Sequence, residues 1–229
     1  MSQVCRDFLF CNIKSLINMK IIKETCYKGT RILLGNKKQE YLQECREYLK
    51  SQGFTEIQIP IIQHSEIFKD KVGEENNNMM YTLTDKGGRD LCLAPEYTAV
   101  IQQLAKTYFK GQKDVKLFYV AECFRGEKPQ AGRYRQFTQL GVEILNPSSI
   151  PFYSEFALGI SHNLVSKGTI EPLIINTNAK RGLDYYKEGK GFEISIESLS
   201  SSKQVCGGGE YEGGIGFAIG VDRLTNLNP

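Results

Sequence analysis

Between residues 37 and 52, apolar side chains recur at Tyr41, Leu42, Cys45, Tyr48 and Leu49. This spacing gathers them into one stripe and predicts a helix, which Gly53 is placed to end. The period then changes. Glu56–Ile62, EIQIPII, alternates before becoming wholly apolar, as a strand does, and Pro60 inside it restricts that strand to an edge or an interface. Ser65 can cap a short helix over Phe68–Val72, and residues 74–78 form a polar, asparagine-rich loop. Met80–Thr84 and Asp90–Ala94 bracket Lys86, Gly87 and Gly88 and predict a hairpin. Tyr97–Tyr108 places Val100, Ile101, Leu104 and Tyr108 on one helical face. Val115–Cys123 is expected as a strand, Phe152–Ser166 as a helix, and Leu173–Asn176 and Phe192–Ser198 as strands, with Lys187–Gly191 as a turn before the last. Ile215–Ile219 is the final strand, flanked by glycines at 207–209 and at 213, 214 and 216, and a helix starts near Val221.

Strands joined mostly by hairpins, with helices inserted between them, predict an α+β fold: an antiparallel β-sheet flanked by helices. Neither G-x-G-x-x-G nor a P-loop occurs, so the glycine clusters are read as tight turns and close backbone approach. With no repeat and no dividing linker, the expected organisation is an N-terminal extension over 1–27 and one domain over 28–229.

Composition narrows the setting. At 229 residues and 41% hydrophobic content, the chain can bury one sizeable core. A net charge of +3 permits a nucleotide or nucleic-acid partner without demanding one. The seven cysteines, at 5, 11, 26, 45, 92, 123 and 206, are scattered, with no C-x-x-C and two histidines to join them. That argues against structural zinc and for reduced thiols in a cytoplasmic protein. Residues 1–20 make a poor transit peptide, with one arginine and the acidic Asp7, so a mitochondrial address is the weaker alternative. No apolar run approaches the roughly 20 residues of a membrane span.

The candidate chemistry lies in Phe124–Glu143, FRGEKPQAGRYRQFTQLGVE. Arg125, Lys128, Arg133 and Arg135 crowd a loop between two strands, and Gln136, Gln139 and Glu143 follow. Guanidinium groups at one end suit phosphate, and a carboxylate at the other suits an amino group, which points to ATP and an amino acid. Joining these two needs no general base, because the carboxylate nucleophile is already ionised. The demand is for positioning and cationic stabilisation at phosphorus.

LAPEYTA (Leu93–Ala99), this basic hairpin, RGLDYY (Arg181–Tyr186) and GGGEYEGGIGFAIGVDRL (Gly207–Leu224) resemble, in that order, the catalytic domain of class II aminoacyl-tRNA synthetases, and specifically histidyl-tRNA synthetases. The resemblance runs from about Lys28 to Leu224. It implies that Arg125 holds the α-phosphate and the amino-acid carboxylate, Glu127 contacts the adenine end, Arg133 reaches the γ-phosphate and Phe137 stacks on adenine. Arg223 covers the other adenine face and reaches the triphosphate, and Arg181 sits beside the α-phosphate. Glu96, Thr98, Gln139 and Glu143 receive the α-ammonium and an imidazole nitrogen, and Tyr185 and Tyr186 close around the ring. The resemblance further implies ATP with Mg2+ as substrate, histidine, the acceptor end of a tRNA, and a homodimer formed through the Pro60 segment and the helix before it.

The chain departs from the family's pattern in several places. The interval between Glu143 and Arg181 is too short for the helical insertion that grips the acceptor stem, and no anticodon-binding domain follows the last motif. Ala94 stands where arginine is common, Tyr97 where glycine is, and Glu210 where a basic residue is. Three functions stay open at this point: histidine activation with transfer to tRNA, activation with transfer to another acceptor, and a non-catalytic histidine sensor like the regulatory subunit of ATP phosphoribosyltransferase.

Overall fold

The computed structural model describes residues 26–31, 35–69, 78–128, 133–180, 185–199 and 203–225. Its centre is a seven-stranded sheet ordered β1-β5-β6-β10-β9-β8-β7, formed by β1 (Thr55–Glu56), β5 (Val115–Phe124), β6 (Gln136–Leu145), β7 (Leu173–Asn176), β8 (Tyr186–Ile196), β9 (Gln204–Tyr211) and β10 (Gly214–Gly220). All neighbours pair antiparallel except β1 with β5. A second sheet, ordered β2-β4-β3, is built from β2 (Ile62–His64), β3 (Tyr81–Thr84) and β4 (Asp90–Leu93). The helices are α1 (Lys37–Ser51), α2 (Glu66–Lys69), α3 (Thr98–Lys106), α4 (Ile150–Gly168) and α5 (Val221–Leu224).

The large sheet is covered on both faces, by two separate cores. On one face α1 lays down Tyr41, Leu42, Cys45 and Leu49, and α4 adds Ile160, Leu164 and Val165 against Phe118, Leu140, Val142, Ile144 and Phe217. On the other, Tyr97, Ala99 and Ile101 from the start of α3 pack with Phe68, Cys92, Leu117, Tyr119 and Tyr211. The two-residue period of a strand sorts β6 accordingly: Leu140, Val142 and Ile144 belong to the first face, and Gln139, Gly141, Glu143 and Leu145 to the second. Gly53 ends α1 with φ +81, its N–H donating to the Lys50 carbonyl, a conformation in which a Cβ would be strained.

Several expectations need correction. The Glu56–Ile62 strand is broken: pairing holds at 55–56 and 62–64, and Pro60, which has no N–H, lies in the unpaired stretch between. Lys187–Gly191 is no turn but part of β8, bulging against β9 between Tyr186 and Gly191. Gly207–Gly209 are interior to β9 rather than in a turn, while Gly213, with φ +84, does turn the chain into β10. Gln136 faces away from Gln139 and Glu143, as an odd separation along a strand requires. Most of the residues 1–27 extension, the 74–77 loop and Arg181 lie outside the described residues.

Candidate active site

The second face of the large sheet carries a cavity of about 430 Å³, a volume within the roughly 300–1,000 Å³ of small-molecule sites. Its floor follows from the glycines. Residues directly opposite in register share a face, so Glu143, Gly216 and Gly209 form one rung, Gly141, Ala218 and Gly207 the next, and Gln139 with Gly220 a third. With almost no side chains there, the sheet is bare backbone onto which neighbours fold. A Cβ at Gly216 would stand 1.7 Å from a Glu143 carboxylate oxygen, and one at Gly141 would stand 2.0 Å from the Tyr119 ring. The glycines therefore serve close approach across strands rather than a phosphate loop.

One group of lining side chains is cationic. Arg125, Arg133 and Arg223 line the cavity with Glu127, Tyr134 and Phe137. Arg125 is aimed by its Nε–H, which donates to the Pro95 carbonyl at 2.9 Å, and its guanidinium lies 5.2 Å from the centre of the Phe137 ring. Arg133 is 3.9 Å from the Glu127 carboxylate. Arg223 donates to the Gln204 carbonyl. Burial lowers its pKa, and the like charges of Arg133 and Arg125 push in the same direction, outweighing the opposing pull of Glu127. Three guanidiniums held this close repel one another, and a polyanion among them would relieve that repulsion.

The other group is acidic and aromatic. Glu96 accepts from the N–H groups of Thr98 at 2.7 Å and Ala99 at 3.0 Å, capping the free N-terminus of α3, and from the Tyr185 hydroxyl at 3.0 Å. Glu143 is wholly buried and accepts from the Thr98 hydroxyl at 2.9 Å and the Tyr211 hydroxyl at 2.7 Å. Burial pushes the Glu143 pKa up to about 8, against the pull of Tyr211 and Thr98, and the nearby Glu96 adds to the rise. Burial likewise raises Glu96, although its two backbone donors, Tyr185 and Arg125 oppose this. Tyr185 and Tyr186 stand with ring centres 4.7 Å apart, and both line the cavity. Gln139 is held by the Cys123 thiol, which donates to its side-chain oxygen at 3.2 Å. Two buried carboxyls, each accepting from its own tyrosine hydroxyl, suit a cationic, hydrogen-bonding guest.

Of the residues singled out from the sequence, Glu96, Thr98, Arg125, Glu127, Arg133, Phe137, Gln139, Tyr185, Tyr186 and Arg223 line this one cavity. Glu143 lies beneath its wall, reached through Thr98. Arg181 lies outside the described residues. Arg135 does not line the cavity: it ties the loop down, donating to the Glu127 carbonyl at 3.0 Å and the Tyr27 hydroxyl at 2.9 Å. Sequence reasoning missed Tyr134, Gln204 and Asp222 in the lining and Tyr211 as a partner of Glu143. Tyr211 sits within the quoted GGGEYEGG run, but nothing in a linear pattern pairs it with a residue on β6.

The substituted positions are accommodated. The Tyr97 ring is buried against Tyr119, with centres 5.3 Å apart, and its hydroxyl donates to the Glu122 carbonyl at 2.8 Å. Tyr97 thus packs beneath the site instead of lining it. Glu210 turns to the opposite face and accepts from Ser154 of α4 at 2.9 Å.

Comparison with known proteins agrees with this geometry. The family model described as histidyl-tRNA synthetase matches residues 35–157, more than half of the chain. The histidine–tRNA ligase of Thermococcus kodakarensis is 31% identical over 210 residues, covering 87% of this chain and 48% of the relative. That of Archaeoglobus fulgidus is 29% identical over 304 aligned positions, covering 86% of this chain and 74% of the relative. The latter alignment is longer than the 229-residue chain itself, so the relative carries residues inside the matched region that this chain lacks. Among solved structures, apo S. aureus histidyl-tRNA synthetase superposes with a TM-score of 0.70 at 26% identity, covering 87% of this chain and 68% of that one. An ATP phosphoribosyltransferase regulatory subunit/histidyl-tRNA synthetase from Bacillus halodurans reaches 0.73 at 15% identity, covering 90% and 83%, a likeness of fold alone. The chain spans about half the length of the first archaeal relatives it matches.

Proposed function

Since this chain belongs to the histidyl-tRNA synthetase family, we propose that its cavity binds ATP and histidine side by side and joins them as histidyl-adenylate, the first half of charging a tRNA. The observation that carries this reading is the pairing, in one cavity, of three guanidiniums with the buried Glu96, backed through Thr98 by the buried Glu143.

In the proposed reaction a histidine carboxylate oxygen attacks the α-phosphorus of ATP. The new bond is carboxyl oxygen to phosphorus, and the bond that breaks releases pyrophosphate. No proton is transferred, so the protein's task is to align the reactants and to stabilise charge on the phosphoryl oxygens. Arg125 touches both halves of the site and bridges the carboxylate and the α-phosphate. Arg133 takes the γ-phosphate, Phe137 and Arg223 sandwich adenine, and Glu127 contacts the adenine edge. Arg181 is assigned to the α-phosphate by its motif. ATP enters as its magnesium complex, the ion being part of the substrate.

Histidine presents an ammonium and an imidazole. Glu96 and Gln139 take the ammonium, Glu143 and Thr98 an imidazole nitrogen, and Tyr185 and Tyr186 enclose the ring. A site of buried carboxyl and hydroxyl groups rejects apolar isosteres, because those would leave its polar atoms unpaired. Transfer to a tRNA 3′ end is the second half of the reading.

The homodimer belongs to the same proposal. Ile62, Leu93, Leu91 and Leu83 lie opposite one another across β2, β4 and β3 and so share a face, on which Ile62 is 53% and Leu83 40% exposed. This apolar face is suited to a second copy.

The test is amino-acid-dependent exchange of labelled pyrophosphate into ATP. Exchange with histidine alone supports the reading. Histidine binding without exchange would instead favour the sensor, whose fold this chain shares. Retention of Arg133 and Arg223 in the cavity speaks against that alternative, since a sensor of histidine has no use for triphosphate-directed charge.

A further inference from the structure

The loop between β5 and β6, which carries Arg125, Glu127 and Arg133, is tied at its base by a residue that the proposed reaction does not use. Arg135 joins the two arms. Its carbonyl accepts from the Arg125 N–H at 3.0 Å, and its Nε–H donates to the Glu127 carbonyl at 3.0 Å. On its other side Arg135 is held by residues 27–29. Its own N–H donates to the Gly29 carbonyl at 2.7 Å, and Nη1 donates to the Tyr27 hydroxyl at 2.9 Å and the Lys28 carbonyl at 3.3 Å. The guanidinium also lies 5.3 Å from the centre of the Tyr27 ring.

The anchor has a shape of its own. Thr30 closes residues 27–30 into a turn, its N–H and its hydroxyl both donating to the Tyr27 carbonyl, at 2.9 and 2.7 Å. Gly29 has φ +90, a conformation that a side chain would strain. The guanidinium of Arg31 lies 3.7 Å from the centre of the Tyr134 ring, so the same short segment touches two consecutive residues of the returning arm. The outgoing arm has a further tether, from the Gly126 N–H to the Met79 carbonyl at 2.7 Å.

We propose that Arg135 is a positioning residue for adenine recognition, and that the turn over residues 27–30 is the support from which it acts. The inference deepens the proposed function and rests on it, since Glu127 is the residue assigned there to the adenine edge. A carboxylate can accept from the 6-amino group of adenine only while the backbone bearing it is held in place, and the Glu127 carbonyl is what Arg135 grips. The fork of the guanidinium matters more than its charge. A single nitrogen cannot serve Glu127 on one side and Tyr27 and Lys28 on the other.

Calorimetric titration of the purified chain with Mg–ATP, with the triphosphate of purine riboside, which lacks the 6-amino group, and with histidine tests this. The parent should prefer ATP to the analogue. Arg135→Ala should lower ATP affinity about tenfold, analogue affinity by less than about threefold and histidine affinity by less than about twofold, so that the preference between nucleotides collapses. Arg135→Lys should behave like the alanine variant. Tyr27→Phe, at a side chain 62% exposed, should keep the fold and weaken ATP binding roughly two- to threefold, and it carries the test if melts show that Arg135→Ala unfolds. If the parent binds no ATP, the proposed function fails and this inference with it. If the parent binds ATP and the analogue equally, ATP binding stands but the inference falls, because Glu127 then reads no amino group. If the parent discriminates, and Arg135→Ala keeps that preference or loses all three ligands equally, or Arg135→Lys restores ATP affinity in full, the positioning role alone is wrong.

Discussion

Replacing Glu143 by glutamine tests the acidic half of the site with little change of shape. The side chain is wholly buried and accepts from Thr98 at 2.9 Å and Tyr211 at 2.7 Å. Either hydroxyl can rotate to accept from the new amide, so the fold should persist. What changes is charge. Burial raises the Glu143 pKa from 4.5 to about 8, so the empty folded protein holds a proton that the unfolded chain releases. A carboxyl shifted upward destabilises the fold progressively as pH climbs from the unfolded value to the folded one, and the penalty is complete above it. At about 1.4 kcal/mol per pH unit, this amounts to roughly 3 kcal/mol between pH 4.5 and 7. For a chain of this size that is a fall in Tm of about 6–12 °C. Glutamine abolishes this slope. It should also weaken histidine binding roughly 10- to 100-fold, the range for a lost charged hydrogen bond, and leave ATP within twofold. Melts from pH 5 to 8, with calorimetric titration of each ligand, read both effects. Equal losses for ATP and histidine, or a pH slope unchanged by the substitution, would refute the assignment.

Three further outcomes are expected. Histidine binding near pH 7 should release a proton from Glu143, so the binding enthalpy should vary with the ionisation enthalpy of the buffer; a buffer-independent enthalpy would mean that the carboxyl is already ionised. Arg125→Ala should reduce pyrophosphate exchange at least a hundredfold with the melt little changed, since among the described residues its side chain donates one hydrogen bond, to the Pro95 carbonyl; normal turnover would remove it from the phosphate site. Gly216→Ala puts a methyl 1.7 Å from the Glu143 carboxylate and should cost about 1–3 kcal/mol of stability and most histidine affinity; an unperturbed melt would mean that the carboxylate can lie elsewhere.

Much of the molecule was legible from residue order, and the limits have identifiable causes. The α1 stripe, the β3–β4 hairpin and the β5–β6 pair follow from periodicities of 3.6 and 2 over long runs. β9 was not legible, because a strand of which Gly207, Gly208 and Gly209 form the middle has no side-chain alternation to detect. The strand expected through Pro60 failed because a single ring removed the donor that pairing needed.

The residue order by itself determined the charges: which guanidiniums, carboxyls and phenols exist, and that they recur in the pattern of one enzyme family. The tertiary structure decided which of them meet. Glu143 finds Tyr211 because β6 and β9 flank β10, and Lys38 finds Asp222 because α1 starts over β6. Such pairings span up to 184 positions of chain and depend on strand register, in which a shift of one residue would turn every side chain to the opposite face.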